Sequence, residues 1–193
     1  MKKHNRTKYT VLGMLTIAPM SGYEITKTIR TSTSFFWSES EGQIYPVLGE
    51  CLKLGLTTCQ EDSLKETQET QETKDTQGTY RSKKIYKITA KGKKELIVWL
   101  SEKVQPSLIR NELLLKLFFG NNSDIKENIH HVMNHEKEIR KLIKIYKNLQ
   151  ESLIAEEKGS PHLRYWLITL NYGIKLAKAE LNWCQETLVT LDT

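Results

Sequence analysis

Apolar residues recur at helical spacing through most of this chain. Val11, Leu12, Met14, Leu15 and Ile17 make one apolar face that stops before Pro19, whose ring and missing N–H oppose further helix, so a short first helix is predicted there. Ser21 and Glu24 then stand at the spacing of a capping box, in which a hydroxyl and an acid satisfy each other's backbone donors. The second helix they open is predicted to run to about Arg30 and to bury Ile25 and Ile29. Over residues 31–38 the period breaks, and Phe35, Phe36 and Trp37 read as a connection pinned to a core by aromatics.

A third helix follows from a second box, Ser40 with Gln43. Its apolar side carries Ile44, Val47, Leu48, Cys51, Leu52 and Leu54, and Gly55 is its stop. Pro46 removes one donor inside it, so its first turn is expected to be irregular or to begin near Gly42. Residues 56–60 and 80–88 suit paired strands of a hairpin. Between them KETQETQETKDTQGT has almost nothing apolar to bury and is expected to be a solvated, mobile tip.

Past Thr89 and Gly92, a helix around Leu96, Val98, Trp99 and Leu100 leads out of the first domain, and Pro106 marks a boundary. The rest reads as helical throughout. A short segment carries Leu113, Leu114, Leu115, Leu117, Phe118 and Phe119, and a long helix starts near Asp124 with Val132, His135, Ile139, Leu142, Tyr146, Leu149 and Leu153 along one stripe. In the last helix Leu163, Leu167, Leu170, Ile174, Ala177, Leu181, Cys184, Leu188 and Leu191 alternate by four and three, the spacing of coiled-coil packing. The expected fold class is mainly α. Residues 1–104 form a winged helix-turn-helix with a two-stranded wing and a wing insert at 61–79, and residues 105–193 form an all-helical domain.

Charge sharpens this picture. The net charge is +6 and the pI about 9.1, which suits a polyanionic partner. Residues 61–77 hold six acids against two bases, a balance of −4, so the remainder carries +10 and basic character lies outside one acidic insert. Cys51, Cys59 and Cys184 have no CxxC spacing and read as reduced, packed thiols. No apolar run reaches the roughly 20 residues of a membrane span, and the first residues are basic and polar, so a cytoplasmic protein without membrane contact is expected. Glycine-rich phosphate loops, nucleophile elbows and paired metal motifs are absent, so neither an enzyme nor a cofactor is expected. His131 and His135 stand four apart on a helix, but no third ligand follows at a metal spacing, and they read as polar interface residues.

Several motifs occur in a specific order: VLGMLTIAPMSGYEI, FWSESEGQIYPVL, LGL and YRSKKIYKITAKGKKEL. In these the chain resembles the PadR family of bacterial transcriptional regulators, whose signature joins a GYE helix, a G-x-IYP recognition helix and a K-x-Y-x-[IL]-T-x-x-G wing return. RNELLLKLFFG and YWLITLNYGIKLAKAELNWCQE are similar to the helical domain of the larger subgroup, which includes virulence-gene activators. The acidic insert is longer than usual, and the proline or glycine pair before the wing return is reduced to Gly78. The resemblance implies a regulator that binds operator DNA as a homodimer, with its last long helix packed on its partner. The function expected is repression of transcription, with an effector response open.

In that frame the third helix enters the major groove and the wing touches flanking backbone. Gln43 can offer its amide to a base edge from the start of that helix, beside Ser40. Tyr45 and Tyr23 each have two readings, a core aromatic or a hydroxyl on phosphate, and the second is favoured because phosphate contacts outnumber base contacts. Lys27, Lys53, Arg81, Lys83 and Lys84 are candidate backbone contacts, the last three as a cluster on the wing return. Leu163, Leu167, Leu170, Ile174, Leu181 and Leu188 form the expected dimer seam, and packing of the same stripe within its own subunit is the alternative. Tyr165, Trp166, Tyr172 and Trp183 could line a pocket for a small aromatic effector, although core or interface packing is the simpler account. A rival function is a winged helix that serves protein interaction without specific DNA binding. The basic wing return and the polar start of the third helix favour DNA.

Overall fold

The computed structural model describes residues 5–62, 83–105 and 110–192. Contacts divide the chain into two compact units, Met1–Gln105 and Pro106–Thr193.

The first unit runs α1 (Arg6–Ile17), α2 (Gly22–Ser32), α3 (Glu41–Lys53), β1 (Thr57–Asp62), β2 (Lys83–Ile88) and α4 (Ala90–Leu100). Its core gathers Leu12 of α1, Ile25 and Ile29 of α2 and Ile44 and Leu48 of α3, all fully buried. Each such side chain removes enough apolar surface from water to contribute about 1.5–3 kcal/mol. The first helix begins earlier than its apolar face implies, because Tyr9 on the preceding turn is also buried. Its ring stacks on Trp99 of α4 at 4.5 Å and 5°. Lys8 reinforces the same junction, its Nζ lying 2.6 Å from Glu95 Oε1.

The box at α2 is complete: the Glu24 amide donates to Ser21 Oγ, and the Glu24 carboxylate accepts from the Ser21 amide at 2.7 Å. At α3, Gln43 Oε1 accepts from the Ser40 amide at 2.9 Å and its hydroxyl at 3.0 Å. This helix is continuous from Glu41 despite Pro46. The bond that proline cannot make would end on Gly42, whose carbonyl lies in the exposed first turn, where water can take its place. Gly55 closes α3 at φ +68°, with its own amide on the Leu52 carbonyl and that of Leu56 on the Cys51 carbonyl. These are the two bonds of a Schellman end, and they require the left-handed conformation glycine adopts without strain.

The strands pair antiparallel, from Thr57 opposite Ile88 to Asp62 opposite Lys83. Glu61 and Asp62, expected at the start of the insert, are therefore part of the ladder, where each faces a lysine across the strand. The remaining insert and its expected mobile tip lie outside the described residues, as do Arg81 and Pro106. Tyr86 also exchanges both backbone bonds with Met20, at 3.1 and 2.9 Å, which ties the wing to the α1–α2 connection. Thr89 then caps α4 by accepting from the Gly92 amide, and its hydroxyl donates to the Gly55 carbonyl at 2.8 Å. Gly92 is required at this spacing: any Cβ there would run into the Leu56 carbonyl oxygen.

The second unit contains α5 (Glu112–Phe118), a 3-10 turn (Gly120–Asn122), α6 (Ile125–Glu156) and α7 (Leu163–Leu191). Asn128 is buried and ties the turn to α6, donating to the Gly120 carbonyl at 2.9 Å and accepting from the Ser123 hydroxyl. The two long helices pack along each other as a hairpin. Val132, Ile139 and Tyr146 of α6 and Leu170, Ile174, Ala177 and Cys184 of α7 are the buried residues of that pair.

Within a single chain this arrangement sets the expected dimer stripe against α6, the alternative packing named for it. Leu170 is 1% exposed and Ile174 8% exposed within a single chain. Leu163, Leu167, Leu181 and Leu188 on the same stripe are half-buried. The 4-3 stripe thus packs against α6 within the chain, which the short connection between the two helices places beside α7. Roughly half a turn around, at 100° per residue, α7 exposes Tyr165, Ile168, Tyr172 and Leu176.

Candidate nucleic-acid interface

The sharp approach of α2 to α3 sets the geometry. Gly22 opens α2, and the Tyr45 ring lies so close that a Cβ on Gly22 would stand 2.6 Å from Cε1. One edge of the ring lies against Gly22 and much of the rest is open: Tyr45 is 48% exposed and Tyr23 58% exposed. Neither is a core aromatic, and each hydroxyl can reach a partner in solvent.

Gln43 is exposed on the first turn of α3. Its oxygen already serves Ser40, so its Nε2, with two donors, is the part able to reach outward. The Ser40 hydroxyl is held by the same contact. Lys27 on α2 and Lys53 in the last turn of α3 are exposed.

Lys83 and Lys84 are not free cations. Lys83 Nζ lies 2.8 Å from Glu24 Oε1, and Lys84 Nζ lies 3.6 Å from Glu61 Oε1. Burial pushes the Glu24 carboxyl upward, but Lys83 and the Ser21 amide and hydroxyl outweigh it and hold the group below the ordinary carboxylate value. Sequence reasoning read Glu24 as a cap alone; nothing in local spacing joins it to Lys83. A second carboxylate it missed is Glu39, which accepts from Trp37 Nε1 at 2.8 Å and from Thr7 Oγ1 at 3.1 Å. Arg6 lies 5.8 Å over the Trp37 ring, so α1 and the turn entering α3 are clamped together.

Other candidates fall elsewhere. Cys51 is fully buried, and desolvation pushes its thiol up to about 11, which leaves little nucleophilic thiolate at neutral pH. His135 faces Glu180 across the α6–α7 seam at 3.7 Å. No three His, Cys, Asp or Glu side chains among the described residues converge on one metal position. Of the four aromatics considered for an effector, Tyr165 and Tyr172 are exposed, while Trp166 stacks on His162 with ring centroids 5.4 Å apart. A hollow of about 380 Å³ is lined instead by Leu115, Lys116, Phe119, Asn128 and His131, among others. No helix among the described residues is long and apolar enough to cross a membrane.

Residues 11–97 match the transcriptional regulator PadR-like family, and residues 109–192 match the family described as virulence activator alpha C-term. The chain belongs to the PadR-like family of transcriptional regulators. Its relatives are regulators, not enzymes. The negative transcriptional regulator PadR of Bacillus subtilis is 27% identical over 192 residues, covering 96% of this chain and 97% of that protein. The crystal structure of Bacillus subtilis PadR in complex with operator DNA matches with a TM-score of 0.77 at 25% identity, over 95% of this chain and 98% of that one. The complex of the same protein with p-coumaric acid matches with a TM-score of 0.72 at 25% identity, over 100% of this chain and 99% of that one.

The PadR-like signature now has physical content. The glycine of GYE admits the Tyr45 ring, and its acid closes the box with Ser21. Tyr86 of the wing return pairs with Met20, and T-x-x-G caps α4 while letting it approach the Leu56 carbonyl.

Proposed function

We propose that this PadR-like regulator binds operator DNA as a homodimer through its first unit and represses transcription in the cytoplasm. The observation that carries the reading is the exposed set on one unit: Tyr23 and Lys27 on α2, and Gln43, Tyr45 and Lys53 on α3. Gln43 Nε2 reads a base edge, the tyrosine hydroxyls and lysines hold phosphates, and Lys83 and Lys84 contact backbone from the wing after exchanging their carboxylate partners. Arg81 is assigned the same role from its place in the sequence. The solved relative bound to operator DNA supports the partner, and the curated relative named a negative regulator supports repression.

A single winged helix spans few base pairs, so pairing two of them raises the effective concentration of the second contact. The second unit supplies that pairing through the exposed Tyr165, Ile168, Tyr172 and Leu176 face of α7. A small aromatic acid acts as effector, by analogy with the relative solved with p-coumaric acid. Gel shift and anisotropy with the DNA upstream of the protein's own coding sequence, with and without p-coumaric acid, test the reading. Salt-sensitive binding that survives excess non-operator DNA is expected. Binding no stronger than to scrambled duplex would favour a protein-interaction module instead.

A further inference from the structure

The Lys83–Glu24 contact places an anchored negative charge where the DNA reading puts phosphate. Glu24 is not free to swing aside: one oxygen takes Lys83 at 2.8 Å, while the other accepts from the Ser21 amide at 2.7 Å and the Ser21 hydroxyl at 2.9 Å. The pair is open to solvent, with 42% of the lysine and 39% of the glutamate side chain exposed. Tyr23 adjoins Glu24 in sequence, and the Tyr45 ring rests on Gly22 two residues before it. An immobile carboxylate thus lies among the side chains assigned to phosphate.

We propose that Glu24 is a specificity-determining residue: it neutralises Lys83 internally and repels phosphates that slide over the α2 terminus out of register. This rests on the DNA-binding reading above. Non-specific affinity comes almost entirely from cations that displace counterions, each adding about 0.9 to the salt slope. A lysine already held by a carboxylate adds less, so Glu24 weakens every complex in proportion to how much that complex needs Lys83 on phosphate. In a docked operator, base contacts set the register and the wing can settle with a phosphate on either side of the carboxylate. In a non-specific complex nothing sets the register, and the full repulsion is felt. Glu24 therefore widens the ratio between operator and non-operator DNA.

Glu24→Gln separates this role from the cap, because a glutamine at the same position still accepts from the Ser21 amide in a capping box. Affinity for the duplex upstream of the protein's own coding sequence and for a scrambled duplex is measured over a series of salt concentrations, with Lys83→Gln made alone and on the Glu24→Gln background. Expected for Glu24→Gln are an unchanged melting temperature, a salt slope steeper by about 0.9, scrambled-duplex affinity higher by roughly five- to tenfold, and a smaller gain for the upstream duplex. Lys83→Gln should lower the slope more on the Glu24→Gln background than on the native one. An unchanged affinity ratio and slope in Glu24→Gln, or equal effects of Lys83→Gln on both backgrounds, overturn the proposal and leave the DNA reading standing. Failure of the unmodified protein to bind either duplex overturns the DNA reading itself.

Discussion

Tyr45 rests on Gly22, with Cε1 and Cζ where a Cβ on the glycine would stand 2.6 and 2.9 Å away. The contact fixes how the third helix presents its exposed tyrosine, and it makes residue 22 a requirement of the interface more than of the fold. The ring is half-exposed and can rotate away. Gly22→Ala should accordingly leave the melting temperature within a few degrees, helped by the better helix propensity of alanine. Binding should weaken by about 1 kcal/mol, roughly fivefold, if a tyrosine–phosphate hydrogen bond is lost. Tyr45→Ala should cost about the same, and the double change little more, as read by fluorescence anisotropy. Additive losses would show that the two residues act separately.

Gln43 carries two duties that a pair of substitutions can divide. Gln43→Glu keeps an acceptor for Ser40 and loses the outward donor, whereas Gln43→Ala loses both. Urea unfolding should show a loss of about 0.5–1 kcal/mol for the alanine variant and little for the glutamate variant. The operator to non-operator ratio should fall in both by about 1–3 kcal/mol. A glutamate variant with full selectivity would remove Gln43 from base reading.

The two apolar faces of α7 predict opposite outcomes for the same kind of substitution. Ile174→Glu puts a charge into the seam with α6 and should destabilise the second unit by about 3–5 kcal/mol, seen as lost helicity by circular dichroism. Ile168→Glu or Tyr172→Glu should keep the helicity and give a monomer by light scattering, with weak operator binding. A folded dimer after both exposed-face changes would move the interface elsewhere.

Lys8 and Glu95 make the α1–α4 junction pH-dependent at both ends of the scale. Lys8 holds the Glu95 carboxyl below its ordinary value near 4.5, so that part of the stability is complete above this pH and disappears as pH falls through the lowered value. Burial pulls the Lys8 ammonium down, but the Glu95 carboxylate and the Tyr9 hydroxyl outweigh it and raise it above its ordinary value of 10.5, so its part is complete below this pH and disappears as pH rises further. The urea midpoints of the native protein and Glu95→Gln should therefore differ by a constant amount near neutrality and converge at both extremes. A gap independent of pH would assign the junction to the Tyr9–Trp99 stack alone.

Signals carried within a few residues were legible in the chain itself. The boxes at Ser21 and Ser40, the stop at Gly55, the antiparallel wing and the helical second unit all follow from spacing and backbone chemistry, as does the set of exposed polar residues on α2 and α3. Contacts between distant residues were not. Lys83 and Glu24 are 59 positions apart and Thr7 and Glu39 are 32 apart, so no local pattern joins either pair. The α7 stripes show the same divide most plainly, since both are apolar and both recur at helical period. Periodicity says that a face is apolar, and only the packed neighbour decides which face is buried: α6, tethered by a short connection, takes the Leu170 and Ile174 side and leaves the Tyr165 and Tyr172 side to solvent.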